Sequence, residues 1–216
     1  MKRIRLEVAA QDALRIADGA LPAVSKDSVT PVLTGAQFTV GGNHVQVMST
    51  DRYRVHRVQV SKLASKNAKE LDAIVPAHVL AWLSKVSGKL YTRGPVAERV
   101  VFEFEQAETG DATGVGKVTV TVHAEYSDES AQITASLIRG NFPPVGRLID
   151  GVKRLPDATK PRMLTMKYLT DVQKAVGRYG RVVIRHTDDP GNTKKQSPTH
   201  VWCDGWFEAL IQPHLV

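Results

Sequence analysis

TPVLTGAQFTVGGNHVQVMSTDRYRVHRV, residues 30–58, alternates apolar and polar side chains through three extended segments. They span about 33–40, 44–49 and 53–60, and the GGN at 41–43 reads as the tight turn of a hairpin. On the N-terminal side, AAQDALRIADGAL carries Leu14, Ala17, Ala20 and Leu21 at helical spacing, with Pro22 marking the exit. Before it, RIRLEV at 3–8 alternates basic and apolar residues, as a strand with one buried face does. The unit is strand, helix, three strands.

The same order recurs downstream. DAIV (72–75) is a short strand, and PAHVLAWLSKVSG follows as a helix with Pro76 in its first turn. Val79, Leu80, Leu83 and Val86 share one face of that helix. Alternating strands are expected at about 98–106, 116–125 and 130–138. A third pass opens with RMLTM (162–166) as a strand, continues through the helix YLTDVQKAVGR, and ends in RVVIRHT, THVWC and FEALIQ. The reading is three copies of one βαβββ unit of roughly 60–80 residues. Helices with one apolar face beside alternating strands give an α+β fold of mostly antiparallel sheets covered on one side. Residues 1–150 are expected to form a domain of two units, 1–62 and 70–150, with 151–216 a single-unit half-domain. GVKRLPDATKP (151–161), with two prolines, is the linker, and the polar inserts at 107–116 and 187–198 read as hairpin loops.

At 216 residues and 42% hydrophobic, the chain can bury one large or two small cores. Lys and Arg outnumber Asp and Glu by 29 to 22, a net +7. Such a balance favours polyanionic partners through counterion release, although many soluble proteins are mildly basic. The single cysteine, Cys203, allows neither an intramolecular disulfide nor a multi-cysteine zinc site. The opening MKRIRLEVAAQDAL lacks the apolar core of a signal peptide, and no run approaches the length that spans a bilayer. A soluble, cytoplasmic protein without a membrane partner is expected.

No motif points to catalysis. GVGK (114–117) lacks Walker spacing, and Val118 stands where a Ser or Thr would hold magnesium. The seven histidines include no HxH or HxxxH pair, Cys203 has no nucleophile context, and Asp188-Asp189 sits in a polar loop. No catalytic residue, metal or cofactor is expected.

Three segments do hold together. The first is residues 30–58, with Pro31, Leu33 and Gly35 and then Thr50, Asp51 and Arg54; the second is RGNFPPVGRLI (139–149). The third pairs MKYLTDVQKAV (166–176) with a chain ending in IQPHLV. This pattern resembles the bacterial and phage-type DNA polymerase III beta sliding clamp family. Thr50, Asp51 and Arg54 match that family's Thr-Asp-x-x-Arg turn, and Gly140, Phe142, Pro143, Arg147, Leu148 and Ile149 match its Gly-x-Phe-Pro closing segment. Tyr168, Leu169 and Asp171 match its last-domain helix, and Pro213 matches its apolar-Pro-apolar tail. The resemblance covers about residue 3 to 216. The departures are three units where the family has six, Gln212 and His214 beside Pro213, and a positive net charge where the family tends to be acidic.

The resemblance implies a DNA-clamp fold, with sheets outside and helices lining a central hole. It also implies a non-enzymatic processivity factor that encircles double-stranded DNA without reading its sequence. Phosphate-facing candidates are Arg15, Lys85, Lys89, Lys167, Lys174 and Arg178, whose alternative reading is a solvated surface. The family's pocket for polymerase and clamp-loader peptides, carried over by position, would use Leu33, Thr50, Tyr53, Arg54, Val55, Pro143, Arg147, Leu148, Leu210, Pro213 and Leu215. Leu33, Val55 and Leu148 read equally well as core. Family rings close with twelve units, so three units per chain imply four chains. Because neighbouring units alternate in direction, third units would meet third units and first units first units, a tetramer of D2 symmetry. A head-to-tail trimer is the alternative if residues 150–216 hide a complete domain. Rival functions are a clamp-fold nucleic-acid-binding module that does not close a ring, and a transcription or repair adaptor.

Overall fold

Pro31 and the residues after it turn the chain once before it extends, so the strand expected from residue 33 begins at Gly35. A computed structural model describes residues 2–68, 71–93, 97–106, 116–124, 130–177, 180–191 and 196–214. The first unit is β1 (Lys2–Ala9), α1 (Ala10–Ala20), β2 (Gly35–Gly41), β3 (His44–Thr50) and β4 (Arg54–Ser61). A short β5 (Ala64–Lys66) follows, which the alternation does not announce because all three of its residues are exposed. The second unit is β6 (Asp72–Pro76), α2 (Ala77–Arg93), β7 (Ala97–Gln106), β8 (Lys117–Ala124) and β9 (Ser130–Ser136). Next comes α3 (Gly146–Val152), then α4 (Met166–Val176), β10 (Val183–Arg185), β11 (Thr199–Cys203) and β12 (Phe207–Ile211). The fold is α+β with antiparallel sheets, as the residue pattern implies.

Two elements depart from expectation. Helix α3 occupies the closing segment and the start of the linker, where Ile149 and Val152 are buried one turn apart. Residues 162–166 are not a strand: only Met163 forms a bridge, to His214. The third unit therefore lacks its leading strand. Most of the first polar insert, and residues 192–195 of the second, lie outside the described residues.

Each sheet mixes units. The leading strand β1 pairs with β7 of the second unit, with Leu6 opposite Phe102, and β6 pairs with β2 of the first unit, with Phe38 opposite Ala73. The strand orders are β5-β1-β7-β8-β9 and β10-β11-β12-β4-β3-β2-β6. Phe38 of one sheet meets Phe102 and Phe104 of the other at centroid distances of 5.5 and 6.0 Å, so burial of apolar area fastens the two sheets into one core. Gly35 is needed where β2 meets β6, since a Cβ there would lie 2.4 Å from the Val75 carbonyl oxygen.

The third unit joins the first through β12 and β4, Leu210 lying opposite Val55. The spatial order is thus second, first, third. The five-stranded sheet ends in β5 and in β9 of the second unit, and the seven-stranded sheet in β6 and in β10 of the third. This corrects the expected meeting of first units with first units, because β12 already occupies the edge of β4.

Helix α1 packs against both α2 and α4 and lies across β4. It buries Ala13, Ile16, Ala17 and Ala20, while Leu14 stays half-buried. Gly19 permits this close approach, since a Cβ would meet a Val58 methyl at 2.5 Å. Beneath the helix, fully buried His56 donates from Nδ1 to the Gly19 carbonyl at 2.7 Å and sits edge-on to Phe207. Burial above all, with the nearby Arg54 charge, pushes the His56 pKa down to about 4, against an upward pull from the Gly19 carbonyl and the Asp51 and Asp171 charges. The unfolded chain, near 6.5, takes up this proton first, so stability is full above pH 6.5 and is lost as pH falls towards 4. Urea midpoints should show roughly 2 kcal/mol less stability at pH 5 than at pH 8 from this group. His56→Gln, which keeps an N–H for Gly19, should flatten that dependence.

Candidate peptide groove and basic helix face

The turn after β3 is held by its own side chains. Thr50 Oγ1 donates to the Arg54 carbonyl at 2.7 Å and accepts the Arg52 N–H at 3.2 Å. Asp51 accepts the N–H groups of Tyr53 and Arg54, both at 3.1 Å. Arg52 takes a positive φ of 77° in this tight loop, and Tyr53 is thrown out to 63% exposure. The short polar side chains thus satisfy the turn's backbone locally.

Arg54 points inward. Its guanidinium donates to Asp51 at 3.0 Å, to Asp171 of α4 at 2.7 Å and to the Pro22 carbonyl, and lies 4.6 Å above the Tyr168 ring. Asp171 also accepts Lys167 at 2.8 Å and Lys174 at 3.2 Å. Burial works to raise the Asp171 pKa, but these three cations outweigh it and hold the carboxyl well below the usual carboxylate range. One arginine therefore clasps the turn of the first unit to the helix of the third.

A groove of about 810 Å³ opens beside this clasp. It is lined by Tyr53 and Tyr168, by Arg147, Leu148, Val152 and Leu155, and by Gln212, Pro213 and His214 of the tail, among others. The tail is pinned: the Gln212 N–H donates to the Tyr53 carbonyl and the His214 N–H to the Met163 carbonyl, both at 2.9 Å. Leu148 is 55% exposed, an apolar side chain held in solvent by a helix whose other face is buried. Under the groove lies a second apolar cluster containing Leu33, Val55 and Leu210 with Met48, Phe142 and Ile149.

Of the pocket residues expected from position, Tyr53, Arg147, Leu148 and Pro213 come together on the groove. Leu33, in the turn before β2, and Val55 and Leu210, paired across β4 and β12, are instead core beneath it. Thr50 and Arg54 are buried in the turn and clasp rather than on the groove wall. Pro143 is half-buried and lies off the lining, and Leu215 is outside the described residues. Tyr168 and Leu155 were missed. The signal for Tyr168 was present in the Tyr-Leu-x-Asp helix motif, whereas Leu155 sat in a stretch read as linker.

The described basic candidates lie on α1, α2 and α4, the first of which packs against the other two. Arg15 on α1 pairs with Asp12 at 2.9 Å and lies 5.2 Å above the Trp206 ring. Lys85 on α2 is exposed. Lys167 and Lys174 are 69% and 66% exposed even while bonded to Asp171, leaving donors for solvent. Arg15 and Lys174 border one cleft between α1 and α4. The Lys89 side chain and Arg178 lie outside the described residues. Among the described residues no helix is long and apolar enough to cross a membrane, and no cluster of three metal-ligating side chains occurs.

The fold and groove can be set beside known proteins. The chain superposes on the DNA polymerase sliding clamp of Caulobacter crescentus with a TM-score of 0.66 at 18% identity, covering 98% of this chain and 65% of that one. The sliding clamp of Bartonella birtlesii bound to griselimycin gives 0.65 at 15% identity, with 98% and 66% covered. The DNA polymerase III beta subunit of Thermotoga maritima gives 0.63 at 11% identity, with 99% and 66% covered. This chain thus spans about two-thirds of the length of those it matches. No curated protein matches it in sequence. The family model for the DNA polymerase III beta subunit, central domain, matches residues 8–144, and the chain belongs to that family.

Proposed function

We propose that this protein is a DNA sliding clamp, a non-enzymatic processivity factor that encircles duplex DNA and tethers a replicative polymerase through the groove. The observation that carries the reading is the seven-stranded sheet running unbroken from the first unit into the third, with α1 and α4 side by side on one face. A sheet that joins units edge to edge, with α1 and α4 on one face and α3 on the other, is an arc that further copies can extend. Residues 1–150 are the complete clamp domain, of units 1–62 and 70–150, and 151–216 are the half-domain. Four chains supply twelve units, and a tetramer is favoured over a trimer because the described residues of 151–214 hold, beyond α3, a single helix followed by three strands. The protein works in the cytoplasm on double-stranded DNA, together with polymerase and clamp-loader peptides, and requires no cofactor.

In the groove, Leu148, Leu155 and Pro213 would bury a peptide's Leu or Phe anchors, and Arg147 would meet its carbonyl or acidic groups. Deleting residues 213–216 should abolish binding of a fluorescently labelled peptide carrying such anchors, read by anisotropy. Leu148→Asp should weaken it at least tenfold without altering the fold. Unchanged affinity in both variants would remove the groove from the account. One observation favours a second reading, an adaptor that binds peptides but little DNA: Asp171 already engages Lys167 and Lys174.

A further inference from the structure

In the first two units, the strand leading into each helix pairs with the other unit: β1 lies on β7 and β6 lies on β2. The third unit is left with both halves of such an exchange unfulfilled. Its leading segment, 162–166, makes one bridge to the tail, and its strand β10 ends the seven-stranded sheet. Both are apolar and in solvent, Met163 and Met166 being 55% and 70% exposed and Val183 and Ile184 51% and 45%. Ile184 lies opposite Val201, which is completely buried, so its side chain belongs to the core face of the sheet. An exposed apolar edge strand is a template for another strand. Among the described residues, the linker covers the far end of this edge, where Arg185 donates to the Lys153 and Leu155 carbonyls, Asp157 bridges Thr187 and the Ala158 N–H donates to the His186 carbonyl. Pro161, which has no N–H to donate, then interrupts any continuation along β10.

We propose that a second copy of this chain completes the third unit. Residues 162–166 of each copy pair antiparallel with β10 of the other about a two-fold axis, so that two half-domains make one whole domain. This deepens the ring reading and rests on it for the total of four chains. Two-fold symmetry follows because the missing strand and the vacant edge are the same two segments in both copies. The register is that of the joint between β6 and β2, free of the irregularity that β7 carries between Ala97 and Arg99: Pro76, the residue before α2, lies opposite Gly35, the first residue of β2. Thr165, the residue before α4, accordingly faces Val183 of the other copy.

The test is cross-linking between co-expressed single variants of the full chain, Thr165→Cys and Val183→Cys, with circular dichroism to verify folding. Oxidation should yield a disulfide-bonded pair of chains only when the two variants are present together. Separately, Ile184→Glu should halve the mass measured by light scattering while preserving peptide binding in the groove. Absence of the mixed disulfide together with an unchanged Ile184→Glu mass would overturn the inference. A mixed disulfide without topology-dependent retention on DNA would leave this interface standing and remove the ring; retention without the disulfide would do the reverse.

Discussion

Arg54→Ala should destabilise the protein by about 3–5 kcal/mol, the cost of removing one partner from a buried, hydrogen-bonded ion pair. The guanidinium is only 6% exposed and serves two carboxylates, the Pro22 carbonyl and the face of Tyr168. Lys167 and Lys174 would still attend Asp171, which places the loss towards the lower end. Arg54→Lys should recover little, since a single ammonium cannot reproduce the planar fork. Because the Asp171 pKa is depressed, its contribution is complete above its unfolded value near 3.8 and fades as pH falls below that. The urea midpoint of Arg54→Ala should therefore depend less on pH below 4 than that of the parent. Tyr168 would lose its stacking partner, so groove affinity should fall along with stability.

The second large effect is on DNA. Replacing Lys85, Lys167 and Lys174 by Gln should lower the salt slope of duplex binding by about 0.9 for each phosphate no longer neutralised, and affinity near 0.15 M salt roughly a hundredfold if all three face phosphates. Glu at the same positions should weaken binding further. The loss should be equal for unrelated sequences, because phosphate groups carry no base information. A deficit confined to one sequence would point to base readout and against a clamp. An unchanged slope would favour the adaptor reading.

Strands that bury one face were legible because they alternate, as β8 does from Lys117 to Ala124. What the residues could not announce was pairing across units. Arg54 and Asp171 are 117 positions apart, and nothing local to the Thr-Asp-x-x-Arg turn tells whether its arginine faces a ligand or a helix. Leu33, Val55 and Leu210 carry the apolar character of pocket walls, yet core and pocket floor demand the same side chains. Residues 162–166 read as a strand because their composition is that of one, but a strand forms only with a partner edge, and within one chain that edge lies elsewhere. Helix α3 escaped notice because it follows Pro143 and Pro144 and includes two glycines, a poor helical composition rescued by burial of Ile149 and Val152.

The central claim is topological, and retention on DNA tests it most directly. The protein should be assembled on a nicked circular duplex, washed at moderate salt, and the circle then cut once with a restriction enzyme. A closed ring remains on the circle and is lost from the linear product through its free ends. Equal retention on circular and linear DNA, falling with salt in the same way for both, would contradict encirclement and leave a protein that binds the duplex from outside.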